Sequence, residues 1–136
     1  MHPRTSLGLA LLLCCVASGC QKSSGPQLVP VSGLVTLDDV PLPSGQIVFH
    51  DPDGHVGSVG GAIVQGHYTL NSPPRRMQVE ITDYRDVVGQ FDESNPGAKI
   101  PDREQYIPAR FNVKTELTAE VKDGKNKIDF PLSSKK

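Results

Sequence analysis

The chain of 136 residues contains no Trp and only three Tyr and four Phe. So few aromatic faces weaken any reading that needs ring platforms, the stacking of sugars above all. Its three cysteines, Cys14, Cys15 and Cys20, all lie within the first twenty positions. Everything after them is free of thiols, so a disulfide framework, a thiolate nucleophile and a Cys-ligated metal are excluded there. Charge of one sign is missing too: 14 Lys and Arg meet 15 Asp and Glu, a formal net of −1. Without a basic block, a nucleic-acid partner is excluded. No apolar run is long enough to cross a bilayer as a mature helix. The sequence also has no Gly-x-x-x-x-Gly-Lys phosphate loop. None of Ser23, Ser24, Ser44, Ser58 or Ser72 sits in a Gly-x-Ser-x-Gly elbow, so a hydrolase triad has no motif behind it. What the chain has in plenty is Gly and Pro, 13 and 12 residues. That favours turn-rich β structure, and the length suits one domain.

The first nineteen residues read as an address. Arg4 supplies a short positive start, Leu7 to Val16 an apolar stretch, and Ala17-Ser18-Gly19 a small-residue end just before Cys20. Together these describe a cleaved secretory signal over residues 1–19. The Cys that follows Gly19 makes the segment resemble a bacterial lipobox, which is cut before a cysteine that becomes diacylated. Cys14 and Cys15 are poor rivals, because Leu13 and Cys14 precede them where a small residue is wanted. Lipidation is therefore expected at Cys20. Loss of Arg4 would leave 13 positive and 15 negative residues on the mature chain. Two or three acyl chains, at about 0.8 kcal/mol per buried methylene, hold firmly to a membrane. Residues 20–28, polar and small after the Cys, form a tether. The expected location is the cell envelope, facing the periplasm or the exterior.

From Val29 to Leu132 the pattern has a period of two. Met77, Val79 and Ile81 alternate with Gln78, Glu80 and Thr82; Leu117, Ala119 and Val121 alternate with Thr118, Glu120 and Lys122. Ile128, Phe130 and Leu132 alternate with Asp129 and Pro131. One buried and one wet face is the mark of an antiparallel sheet. Earlier strands are expected over Val31–Leu37, Gln46–His50, Ser58–Gln65 and His67–Leu70. Asp51-Pro52-Asp53-Gly54 predicts a type I turn. Gln65-Gly66 and Asp123-Gly124-Lys125-Asn126 predict hairpins, and Pro131 predicts an edge strand. Seven short strands in about one hundred residues predict an all-β, immunoglobulin-like sandwich over 29–132, with 133–136 as a tail.

The residues also carry a resemblance. Val31-Ser32-Gly33-Leu34-Val35-Thr36, then Pro41-Leu42-Pro43-Ser44-Gly45 and Ile47-Val48-Phe49, is similar to the opening of carboxypeptidase-regulatory-like, transthyretin-like domains. Gly66-His67-Tyr68-Thr69-Leu70 and Met77 to Ile81 resemble the next paired strands of that family. The small secreted lipoproteins common in planctomycete bacteria are a closer likeness. Their tail resembles Tyr106-Ile107-Pro108-Ala109-Arg110-Phe111-Asn112, Thr115 to Val121 and Asn126 to Leu132. The resemblance implies a transthyretin-like β-sandwich and brings no catalytic residue with it. Transthyretin-like hydrolases end in Tyr-Arg-Gly-Ser, whereas this chain ends in Ser133-Ser134-Lys135-Lys136.

Candidate chemistry is sparse. His50, Asp51, Asp53 and His55, with His67 one hairpin away, are the residue types that ligate zinc-like ions when three or four converge. Their alternative is a polar turn flanked by exposed histidines, so no metal or other cofactor is assigned. Asp83 to Asn112 exceeds ordinary loop length. Its first part, Arg85 to Lys99, is expected to be mobile, and its second part has apolar residues enough to dock on the core. A binding loop would present Arg103, Tyr106 and Arg110; alternatively Tyr106 and Phe111 close one end of the core. Arg75 and Arg76 make a small basic spot. The expected function is a non-enzymatic envelope module, held to a membrane by its lipid, that binds an envelope protein. The alternatives are a polysaccharide-binding domain and a metal-dependent hydrolase at His50, His55 and His67.

Overall fold

A computed structural model describes residues 25–135. The signal segment, Cys20 and the first half of the tether lie outside these residues. Eleven strands follow in order: β1 Val29–Leu37, β2 Val40–Pro41, β3 Ser44–His50, β4 Val59–Val64, β5 His67–Ser72 and β6 Arg76–Thr82; then β7 Tyr84–Asp92, β8 Ile100–Gln105, β9 Thr118–Glu120, β10 Asn126–Lys127 and β11 Phe130–Leu132. A single turn of 3-10 helix, Ala109–Phe111, lies between β8 and β9. The expectation of an all-β chain holds.

Nine strands form one sheet in the order β10-β1-β5-β4-β3-β6-β9, with β2 and β11 also paired to β1. The inward side chains are those the alternation marks: Val31 and Val35 of β1, Ile47 and Phe49 of β3, and Met77, Val79 and Ile81 of β6 are fully buried. Tyr68, Leu70, Ala119, Phe130 and Leu132 complete that layer. Phe49, Tyr68 and Phe130 meet with ring centroids 6.0–6.3 Å apart. Since β11 hangs on β1 and Phe49 lies three strands away on β3, this contact shows that the sheet curls over a shared core. The strand β1 makes the curl possible by changing partners. Val29 to Leu34 pair with β5, and Val35 to Leu37 pair with β11.

The turns follow local chemistry. Gln65 and Gly66 both have left-handed backbones, φ 52° and 81°, which is the two-residue hairpin turn that matches strand twist. Asp38 and Asp39 do the same between β1 and β2, with φ 51° and 68°; Asp tolerates that region better than most residues. Gly54 N–H donates to the Asp51 carbonyl at 3.1 Å, closing the four-residue turn expected there. Pro131 sits on β11, whose partner is β1.

Two expectations are corrected. The span from Asp83 is no irregular loop, because β7 and β8 make a separate antiparallel ribbon, Tyr84 opposite Gln105 and Asp92 opposite Ile100. Nearly every residue of β7 is exposed. A strand wet on both faces shows no period of two, so the sequence pattern is silent there. The Asp123 to Asn126 turn does not close a hairpin either, since β10 leaves it to pair in parallel with β1, Val31 opposite Asn126.

Candidate functional site

The register sorts the candidate residues to two ends of the sheet. At the end where β1 begins, Val29 lies opposite Ser72. There the Asp51 turn stands beside the β5–β6 link. Asp51 is its centre: Oδ1 accepts the Asp53 N–H at 3.1 Å, and Oδ2 accepts those of His55 at 2.9 Å and Val56 at 3.0 Å. Arg75 donates from Nη1 to the same oxygen at 2.8 Å, and the Asp51 side chain is only 1% exposed. Burial pushes this carboxyl up, but the three backbone donors and the guanidinium outweigh it and hold it below the usual carboxylate range.

Asp51, Asp53 and His55 do converge, with one ligand atom from each lying within 4.8 Å of the others. A carboxylate has about four lone-pair positions. Four donors already bond to Asp51, three at Oδ2 and one at Oδ1, so it is committed to the turn. His50 and His67 are elsewhere. His67 opens β5, exposed, opposite Leu34 and Val64 at the other end of the sheet. His50 ends β3 and points out of the sheet. Its Nδ1 is 2.7 Å from the Ser58 hydroxyl, and its Nε2 is 3.2 Å from Glu80 Oε2. The five candidates therefore form no common ligand set. Next to the Asp51 turn, Asp53, His55, Arg75, Arg76, Gln78 and Thr118 line an open groove of about 630 Å³. Arg76 lies 3.6 Å from Glu120 and Arg75 is held by Asp51, so the basic spot is internally balanced.

The other end carries the ribbon. Leu34, His67, Val64 and Ser44 make one cross-strand row there. The Ser44 hydroxyl donates to Asp83 at 3.0 Å, just where β7 begins. Asp83 is buried and gathers further donors: the Tyr106 hydroxyl at 2.5 Å and the Tyr84 N–H at 2.9 Å. Gln105 Oε1 accepts from the Asp83 and Ile107 N–H groups. Desolvation, then the bond to Asp83, push the Tyr106 phenol up to about 12. Ile107 is buried, and Tyr106 and Phe111 pack against the core.

Arg103, Tyr106 and Arg110 are thus placed apart in role. Arg103 lies on β8, 3.4 Å from Asp86 and over the Tyr84 ring. Arg110 donates to the carbonyls of Ser133 and Lys135 and binds the C-terminal tail to the body. Asp38 holds the same tail by accepting the Ser134 N–H at 2.9 Å. Sequence reading missed Asp83, Gln105 and Glu80 as polar centres. Asp83 ends a run of alternating residues, and nothing local distinguishes a buried acid at a strand end from a solvated one.

These features define an all-β domain with a polar turn at one end and a projecting ribbon at the other. No family model matches the sequence, and no curated protein matches it. Among solved structures, the chain is similar to a 9R-lipoxygenase from Cyanothece PCC8801, with 15% identity and a TM-score of 0.42. The match covers 81% of this chain and 17% of that one. At that score neither fold family nor activity transfers.

Proposed function

We propose that the protein is a lipid-anchored envelope module that binds a protein partner through the β7–β8 ribbon. One observation carries this reading: the ribbon leaves the body at the end opposite Val29, where the tether enters, and its apolar side chains face solvent. Val88 is 99% exposed, and Tyr84, Phe91 and Ile100 are each about half exposed. Both strands keep a free edge, and Val87 to Gln90 bulge out of the ladder between Asp86 and Phe91. Side chains and backbone groups left open in this way are what a protein partner covers. From Cys20 to Val29 the chain reaches at most about 30 Å. The tether end is therefore held near the lipid, and the ribbon is presented on the far side of the body.

The polysaccharide alternative is less well supported. Of the rings that could stack on sugars, three have a cation near one face: Arg103 by Tyr84, Lys99 by Phe91 and Arg85 by Tyr106, at 5.4–5.9 Å from the ring centroid. A pull-down of the tagged full-length protein after in-cell crosslinking tests the proposal. One dominant envelope protein should be recovered, reduced in a Val88→Asp, Phe91→Ser variant and lost when Cys20→Ser removes the anchor. Recovery of lipid and polysaccharide alone would retire the partner reading. A membrane-bound, lipid-labelled Cys20→Ser protein would retire the anchor.

A further inference from the structure

We propose that Ser58 is a nucleophilic hydroxyl, activated by His50 and able to take a short acyl group from an activated ester. The register builds this site. Phe49 of β3 lies opposite Val59 of β4, so the next residues outward, His50 and Ser58, face each other across the strand pair. On the other flank His50 lies opposite Gln78 of β6. Glu80, two residues along the same strand, shares the outer face. The outcome is a chain of hydroxyl, imidazole and carboxylate: Ser58 Oγ to His50 Nδ1 at 2.7 Å, and His50 Nε2 to Glu80 Oε2 at 3.2 Å.

The arrangement assigns the single proton of the neutral imidazole to one nitrogen and the lone pair to the other. His50 Nε2 is a buried atom without an aligned hydrogen-bond partner, and Glu80 is the carboxylate within its reach. Off-line contacts of this kind are common in unliganded sites and tighten when the reacting group binds. A proton on Nε2 facing Glu80 leaves the Nδ1 lone pair free to accept the Ser58 hydroxyl. A hydroxyl hydrogen-bonded to a base, with the base oriented by a third group, is the general signature of an activated nucleophile. Glu80 acts here as a positioning residue.

Two residues along β3 and β4 from the His50–Ser58 pair, Gln46, Ile47, Val48, Gly60 and Gly61 line a shallow depression of about 270 Å³. A side chain at Gly60 would begin 3.2 Å from the Ile47 carbonyl oxygen and 3.5 Å from Val48 Cγ2, filling that space. The volume suits a short acyl chain. In the reaction, Ser58 Oγ bonds to the carbonyl carbon of the ester while its proton passes to His50 Nδ1. The carbon–oxygen bond to the leaving alcohol then breaks, and that alcohol takes the proton from His50. The products are an acyl-serine and a free alcohol, with no oxidant or cofactor needed. The proposal is acyl transfer to Ser58, and it is independent of the ribbon's partner.

Incubation of the full-length protein with p-nitrophenyl acetate, followed by peptide mass mapping, tests it. One acetyl group is expected on Ser58, absent in Ser58→Ala and formed about a hundredfold more slowly in His50→Asn. Nitrogen NMR of the unmodified protein offers a check that needs no variant: neutral His50 should carry its proton on Nε2. Three results would overturn the proposal: no acetyl on Ser58, an unchanged rate in His50→Asn, or a neutral His50 protonated on Nδ1.

Discussion

The Tyr106 hydroxyl donates to Asp83 at 2.5 Å, joining the end of β8 to the start of β7 across 23 residues of sequence. This bond closes the base of the ribbon, and Ser44 ties the same carboxylate to β3. A charged acceptor makes such a bond worth more than an ordinary one. Tyr106→Phe should cost about 1–2 kcal/mol, read by denaturant unfolding.

The same contact has an alkaline signature. In the fold, desolvation and then Asp83 raise the Tyr106 phenol from 10.0 to about 12. A raised acid is stabilising while protonated, so its contribution is complete below about pH 10 and is lost as pH rises toward 12. Tyr68 adds a loss of the same sign, since burial, then Asp129, raise its phenol as well. Stability measured from pH 9 to 12 should fall, and less steeply in Tyr106→Phe. An identical slope in the variant would show that Tyr106 does not contribute.

Asp51 predicts the opposite end of the pH scale. Its carboxyl is held below 3.8 by backbone donors and Arg75 against the cost of burial. A lowered acid stabilises while ionised, so its contribution is present above about pH 4 and is lost in stronger acid. Asp51→Asn should lower the melting temperature at pH 7 and narrow the gap to its value at pH 3. Zinc or calcium added to the wild type should leave the melting temperature unchanged, because the Asp51 oxygens are already engaged. A metal-induced rise would restore the ligand reading of Asp51, Asp53 and His55.

One substitution placed twice tests the strand phases. Val79 is fully buried in β6, and Val88 is almost fully exposed in β7. Val79→Asp forces an unpaired charge into the core and should cost about 4 kcal/mol. Val88→Asp should change stability by less than about 0.5 kcal/mol. Equal effects at both sites would show the core assignment to be wrong.

Gly33 marks a close crossing between β1 and the returning chain at Ile128. A Cβ there would stand 1.8 Å from the Ile128 carbonyl oxygen and 2.9 Å from Tyr68 Cε1. The same carbonyl accepts the Tyr68 hydroxyl at 2.7 Å. Gly33→Ala should therefore cost about 2 kcal/mol or more by forcing the returning chain away from β1. A wild-type melting curve would refute the close approach.

Alternation alone was enough to place β6, β9 and β11 and their inward residues from Met77 to Leu132, because a half-buried strand must repeat every two residues. Gln65-Gly66 and Asp51 to Gly54 were equally clear, since their turns depend on local backbone preferences. The ribbon was hidden because a strand wet on both faces leaves no pattern to read. The parallel return of β10, and β11 docking on the far half of β1, depend on contacts about a hundred residues apart that no local preference encodes. The grouping of polar residues was decided in the same way. His50 and Asp51 are adjacent in the chain, yet the pleat and the turn send one to Ser58 and Glu80 and the other to Arg75. Sequence spacing brings residue types near one another; strand register, set by burying the apolar face, decides which of them touch.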